Sequence, residues 1–270
     1  MKGHTIILFA LLASLSAGCS NLRGAKLLLP ESFGFRQISK NLYLENAADP
    51  EAEARLLEAM DQAEDRIRIC FGDVKSNPVV HVCVSDDCYR SFGGMGSKAK
   101  VYGDHILLSP RGFTWHYLAH EWSHDEIRTR LSFWAWWRLP RWFDEGLAVV
   151  ISEAPEHSEA HWQSLVVSGV ERPSRSELLG YRSLRQWLDA VRRYGETQNS
   201  RRRAEGAPEV RPVYAAAGHE VRPWFAEVGT PGLLDMIRRL NQGEGFEKIY
   251  SENSKADSTG KVFDGVRTGG

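Results

Sequence analysis

The sequence predicts an α+β chain, with a few short strands in its first half and a mainly helical C-terminal half. Three observations carry this. Val79-Val80-His81-Val82-Cys83-Val84 is rich in β-branched residues and follows Asn77-Pro78, which marks a strand. His105-Ile106-Leu107-Leu108 is a second short apolar run, closed by Ser109-Pro110. From about residue 113 onward the pattern is mostly helical. Strands followed by a run of helices is the order of an α+β fold.

The remaining elements follow in chain order. Residues 20 to about 40 lack a clear period and read as a tether plus a first short strand. Pro50 to Ile69 reads as a helix, with Leu56, Leu57, Met60, Ala63 and Ile67 at helical spacing. Gly93, Gly94 and Gly96 suggest a mobile loop; no Lys-Ser/Thr follows in register, so it is not a phosphate loop. Glu196 to Pro212, with Arg201-Arg202-Arg203, reads as a polar surface loop. Residues 251 to 270 are polar and glycine-rich and read as a disordered tail.

The 270 residues are 42% hydrophobic and 26% charged, an ordinary globular composition. The formal net charge of -1 gives no electrostatic reason to expect a nucleic-acid partner. Function must therefore lie in local motifs. The N-terminus has Lys2, the apolar run Thr5 to Ala13, then small residues to Gly18, the layout of a secretory signal peptide over residues 1–18. That run is too short to span a membrane. Leu15-Ser16-Ala17-Gly18-Cys19 resembles a bacterial lipobox, with Leu15 one place further from the cysteine than the usual pattern. The resemblance implies lipidation of Cys19, a tether over residues 19–40 and attachment to the membrane without a spanning helix. Ser20 after the cysteine implies the outer membrane, facing the periplasm. The alternative is a plain signal peptide cut near Ala17. An exported chain meets oxidising conditions, and of Cys70, Cys83 and Cys88 the pair Cys83–Cys88 is favoured to bridge.

The chemistry concentrates in His116-Tyr117-Leu118-Ala119-His120-Glu121-Trp122-Ser123-His124, with Thr114 placed to cap a helix. On a helix His120 and His124 project from one face, one turn apart, as two imidazoles on one tetrahedral zinc require. Glu121 is turned about a quarter of the way round, so it can reach a water without being a ligand. This HExxH pattern arises by chance in on the order of one chain in a hundred of this length, so it needs a second element. Pro140-Arg141-Trp142-Phe143-Asp144-Glu145-Gly146-Leu147-Ala148 supplies one. If a turn joins the two helices, Glu145 returns to the imidazoles, and His-His-Glu leaves a position open for water, as catalytic zinc needs.

HExxH followed by WFxEGLA resembles the gluzincin branch of the zincins, in particular the peptidase MA-like bacterial proteins, over roughly residues 79 to 250. The resemblance implies a zincin-like peptidase domain, placed at 41–250, with a small mixed sheet whose edge strand lies over the active-site helix. The run at 105–108 fits that edge strand. Zn2+ would be the cofactor and a peptide or protein the substrate, with Glu121 as the base. A Tyr or His beyond the third ligand steadies the oxyanion in such enzymes. Tyr214 is the first candidate and His219 the second. The alternative is a non-catalytic envelope lipoprotein acting as a binding or scaffold module; a purely structural zinc has no need of Glu121.

Other signals read more plainly. His116 falls off the metal face of the helix, and His157 and His161 suggest a solvated acidic helix. Asp144 either orients a neighbour or favours its helix N-terminus. Phe133-Trp134-Ala135-Trp136-Trp137 reads as core packing between the two metal-bearing helices, the alternative being a membrane-facing belt.

Overall fold

The computed structural model describes residues 26–94 and 97–253. The signal segment, Cys19 and the tail beyond residue 253 lie outside the described residues. The chain divides into two compact units, the first up to Arg68 with Val74–Glu126, the second comprising Ile69–Asp73 and the chain from Ile127. The fold is mixed α+β with a small five-stranded mixed sheet.

The first unit holds strands β1 (Phe35–Ser39) and β2 (Leu42–Glu45), most of helix α1 (Pro50–Phe71), strand β3 (Val79–Val82), helix α2 (Asp86–Ser91), strands β4 (Ala99–Tyr102) and β5 (His105–Leu108), and the start of helix α3 (Trp115–Arg130). The strand order is β1-β2-β3-β5-β4. The β2/β3 and β3/β5 pairs are parallel, the β1/β2 and β4/β5 pairs antiparallel. Strand β5 is therefore interior, and β4 holds the edge that the sequence assigned to 105–108. The reason is visible in β5 itself. Ile106, Leu107 and Leu108 are all buried in succession, which only a strand covered on both faces needs.

Leu27 and Phe35 pack with Tyr89, Phe92 and Leu107 in one apolar cluster. Part of the stretch read as a tether thus belongs to the fold, from Lys26 onward. Cys83 and Cys88 form a disulfide, and Cys70 is a buried thiol outside that bridge. The glycine-rich turn is not loose where it is described. Gly94 is buried, and a Cβ there would sit 2.2 Å from the Tyr89 ring, so close approach explains the glycine.

The second unit is helical: α4 (Phe133–Arg138), α5 (Arg141–Ser152), α6 (Glu159–Val167), α7 (Arg175–Leu179), α8 (Leu184–Val191), α9 (Thr197–Ala204), α10 (Pro212–Asn241) and α11 (Phe246–Asn253). Helix α10 is interrupted at Gly229. Helices α5 and α10 pack at close range. A Cβ on Gly146 would meet the Ala217 carbonyl at 2.6 Å, so only glycine fits after Glu145. The polar stretch read as a loop from Glu196 contains helix α9. Arg201 pairs with Glu205 one turn on, and the Asn199 amide bonds both backbone groups of Val210. No described helix is long and apolar enough to cross a membrane.

Candidate metal centre

Helix α3 begins at Trp115, immediately after Thr114. One side of it is fastened by buried polar groups. The Glu126 carboxylate accepts from Lys75 N at 2.9 Å, Ser76 N at 2.8 Å and Ser76 Oγ at 2.7 Å. Trp122 Nε1 donates to the same Ser76 Oγ at 3.0 Å. These bonds fix the rotation of the helix and so the direction of its other residues. His120 is buried, while Glu121 and His124 are half-buried. The His120 and His124 rings lie 5.1 Å apart, edge to face at 82°. That is the one-turn stacking the spacing predicts.

Two neighbours in the first unit were not read from the sequence. Lys98, just before edge strand β4, lies over the Tyr117 ring of α3 at 4.6 Å. Tyr89 bonds Ser97 Oγ at 2.7 Å. Burial pushes the Tyr89 hydroxyl up to about 12, with the Glu121 carboxylate adding to the rise against the Ser97 bond. Tyr89 is thus a neutral phenol within electrostatic reach of Glu121. Only the fold could reveal it, since 32 positions separate them in a turn-rich stretch.

In the second unit Glu145 and Asp144 are buried in the first turns of α5. Arg141 holds both, Nη1 to Asp144 Oδ2 and Nη2 to Glu145 Oε1, each at 2.6 Å. Burial opposes the Arg141 charge, yet Glu145 and then Asp144 raise its pKa above the ordinary arginine value. Arg141 therefore stays charged and fixes the Glu145 carboxylate. The sequence reading missed this, although Arg141 lies four residues before Glu145 on one helix, a spacing at which such pairs form. Asp144 pairs with this arginine and also sits in the first turn of its helix, in keeping with both readings of it.

His120, His124 and Glu145 each offer one ligand atom, and these atoms all lie within 4.8 Å of one another. Two imidazoles and a carboxylate are the donor set of a three-ligand catalytic zinc site, so the residues fit that ion. Glu45, Cys83 and Cys88 also come together. There the sulfurs are joined in the disulfide, and Glu45 accepts from Val84 N, Ser85 N and Ser85 Oγ at the start of α2. That cluster is a helix-start brace with no thiolate to give.

The two candidates for the oxyanion differ in place. Tyr214 is close enough to Arg141 to act on its charge; its ring stacks on His157 at 5.3 Å and meets Trp187 edge-on. His219 bonds Glu159 at 2.9 Å and stacks on Trp162 at 4.7 Å. It lines a cavity of about 520 Å³ together with Trp162, Arg175, Glu220, Trp224 and Tyr250, and Tyr214 is not in that lining. His116 lies against Trp115 and is not in the triad group. His157 and His161 do not share a helix as the sequence suggested. Pro155–His157 is a 3-10 turn, Ser158 caps α6, and His157 is buried against Tyr214 rather than solvated. No family model, no curated protein and no solved structure matches this chain.

Proposed function

We propose that this chain is a zinc-dependent peptidase of the gluzincin type, on a zincin-like fold. In this reading it hydrolyses peptide bonds in the bacterial cell envelope and is anchored through a lipid on Cys19 at the outer membrane, facing the periplasm. The observation that carries the reading is the convergence of His120, His124 and Glu145 donor atoms within 4.8 Å, beside a Glu121 that is no part of that triad. An edge strand whose approach touches the histidine-bearing helix, Lys98 over Tyr117, adds support.

His120, His124 and Glu145 would hold a zinc ion, which would supply Lewis acidity toward a water and a carbonyl. The rest falls to the chain's own groups. Glu121 takes a proton from the attacking water and returns it to the leaving amine. Arg141 orients the Glu145 carboxylate, a positioning role. Tyr214 donates its hydroxyl proton in a hydrogen bond to the developing oxyanion. Its electrostatic reach to Arg141, the residue that holds Glu145, favours it over His219, whose ring nitrogen bonds Glu159.

The test separates metal from base. In Glu121→Gln, zinc content stays at one per chain while turnover of an envelope-protein digest falls at least ~100-fold. In His120→Ala with His124→Ala, zinc is lost. Full turnover after Glu121→Gln rules out the mechanism. An in-cell role that survives Glu121→Gln, with no activity in any preparation, replaces the enzyme with the scaffold reading.

A further inference from the structure

Helix α4 carries the most aromatic stretch of the chain, and the structure turns it outward. Phe133, Trp134, Trp136 and Trp137 are 64, 70, 36 and 69% exposed. Ala135 and Leu139, four residues apart, are the buried ones. The aromatic run is therefore not core packing, as its sequence suggests. A short helix with two inward positions has room to bury only one small and one medium side chain.

The patch is built rather than frayed. Ser132 Oγ accepts from Ala135 N at the helix start. Asn241 clamps the preceding turn, its Oδ1 accepting from Ser132 N at 2.7 Å and its Nδ2 donating to Arg130 O at 2.9 Å. Phe133 meets Trp134 edge to face at 5.1 Å and stacks with Trp137 at 6.5 Å. The formal charges along the stretch that carries it have one sign. From Ile127 to Phe143 the chain has Arg128, Arg130, Arg138 and Arg141 and no Asp or Glu. Arg130 and Arg141 are engaged with acids elsewhere in the unit, Asp73 and the Asp144–Glu145 pair. Arg138 lies on the patch itself, its Nε donating to Trp134 O at 3.1 Å.

We propose that α4 is a docking element for an anionic bilayer surface, with the three indoles and Phe133 entering the interface and Arg138 meeting lipid phosphates. Indoles favour the membrane–water interface, where one ring edge is wet and the other apolar. Apolar insertion combined with cationic contact is how surface-bound helices hold anionic membranes. Charge complementarity chooses the occupant: the exposed face combines interfacial indoles with the Arg138 cation, on a stretch with no carboxylate of its own. One further support rests on the lipid-anchor reading. The stretch from Cys19 to Lys26 spans at most about 25 Å when extended, which keeps a bilayer close to the folded chain.

The test removes that anchor, so the two ideas fail separately. The chain from Ser20 onward keeps every described residue. It is sedimented with vesicles of phosphatidylglycerol and phosphatidylethanolamine, and with phosphatidylcholine vesicles. Binding to the anionic vesicles is expected, with a blue shift of tryptophan emission. Phe133→Ser with Trp134→Ser and Trp137→Ser lowers the bound fraction at least ~10-fold at an unchanged melting temperature, and Arg138→Glu lowers it less. If the triple variant is unstable, Trp134→Ser and Trp137→Ser are each tested alone. Equal binding by wild type and the aromatic variants overturns the proposal. So does a concentration-dependent dimer, seen by light scattering and abolished by the same substitutions, in a chain that ignores vesicles. Preference for phosphatidylcholine overturns the role of charge.

Discussion

Helices α3 and α4 are separated by two residues, and they treat burial in opposite ways. In α3, His120, Ser123, Asp125 and Glu126 are buried. In α4, one phenylalanine and three tryptophans face out. Each choice costs stability. A buried polar group costs about 1–3 kcal/mol unless it is bonded. A large apolar side chain left exposed forgoes about 1.5–3 kcal/mol. The first cost is offset locally, since Glu126 collects three donors from Lys75 and Ser76. The second is not offset within the described residues. Departures from the usual partition of polar and apolar groups mark positions selected for something other than stability, and here two adjacent helices depart in opposite directions.

The comparison can be broken at its polar end first. Glu126→Ala strands two backbone N–H groups and the Ser76 hydroxyl, and through Ser76 loosens Trp122. The expected loss is ~3 kcal/mol by urea denaturation. A loss under ~1 kcal/mol would mean the carboxylate is not what fixes α3.

His81 extends the polar side into the sheet. It is fully buried, bonds His105 Nδ1 at 2.9 Å and stacks on Tyr43. Burial, then the neighbouring His105, lowers its pKa from 6.5 to about 3. Between those values the unfolded chain binds the proton and the folded chain does not, so stability rises with pH across that window. The stability contribution is present above pH 6.5 and is lost as pH falls toward 3. Melting temperature measured from pH 7 to pH 4 should therefore drop more steeply for the wild type than for His81→Phe, the acidic groups being common to both. Parallel curves would place a charged His81 in the folded state.

The smallest effect belongs to the apolar end. Trp134→Ser should change stability by less than ~0.5 kcal/mol, because the side chain is mostly in solvent already. A cost of several times that in thermal or urea unfolding would make the tryptophan structural and remove the contrast with α3.

Much of this was legible in residue order. The helix expected at Pro50–Ile69 is α1, and the strands expected at 79–84 and 105–108 are β3 and β5. Each carries its own period or a β-branched run. The favoured Cys83–Cys88 pair is bridged across a corner five residues long. Strand β4 was not legible, because none of its four residues is buried and no alternation marks it. Helix α9 was missed because its side chains are nearly all polar, and what holds it is an asparagine reaching Val210.

The sequence by itself determined that His120 and His124 share a helix face with Glu121 turned aside, and that Glu145 follows on a second helix. Those relations depend on a 3.6-residue period and hold wherever the helices form. Only the tertiary structure decided that β5 is interior and β4 the edge, that Ser76 and Glu126 meet from 50 positions apart, and that α4 shows its indoles to solvent. Periodicity says which residues share a face; it does not say what that face will meet. Only long-range packing settles that, as the buried partners of Glu126 and the bare face of α4 both show.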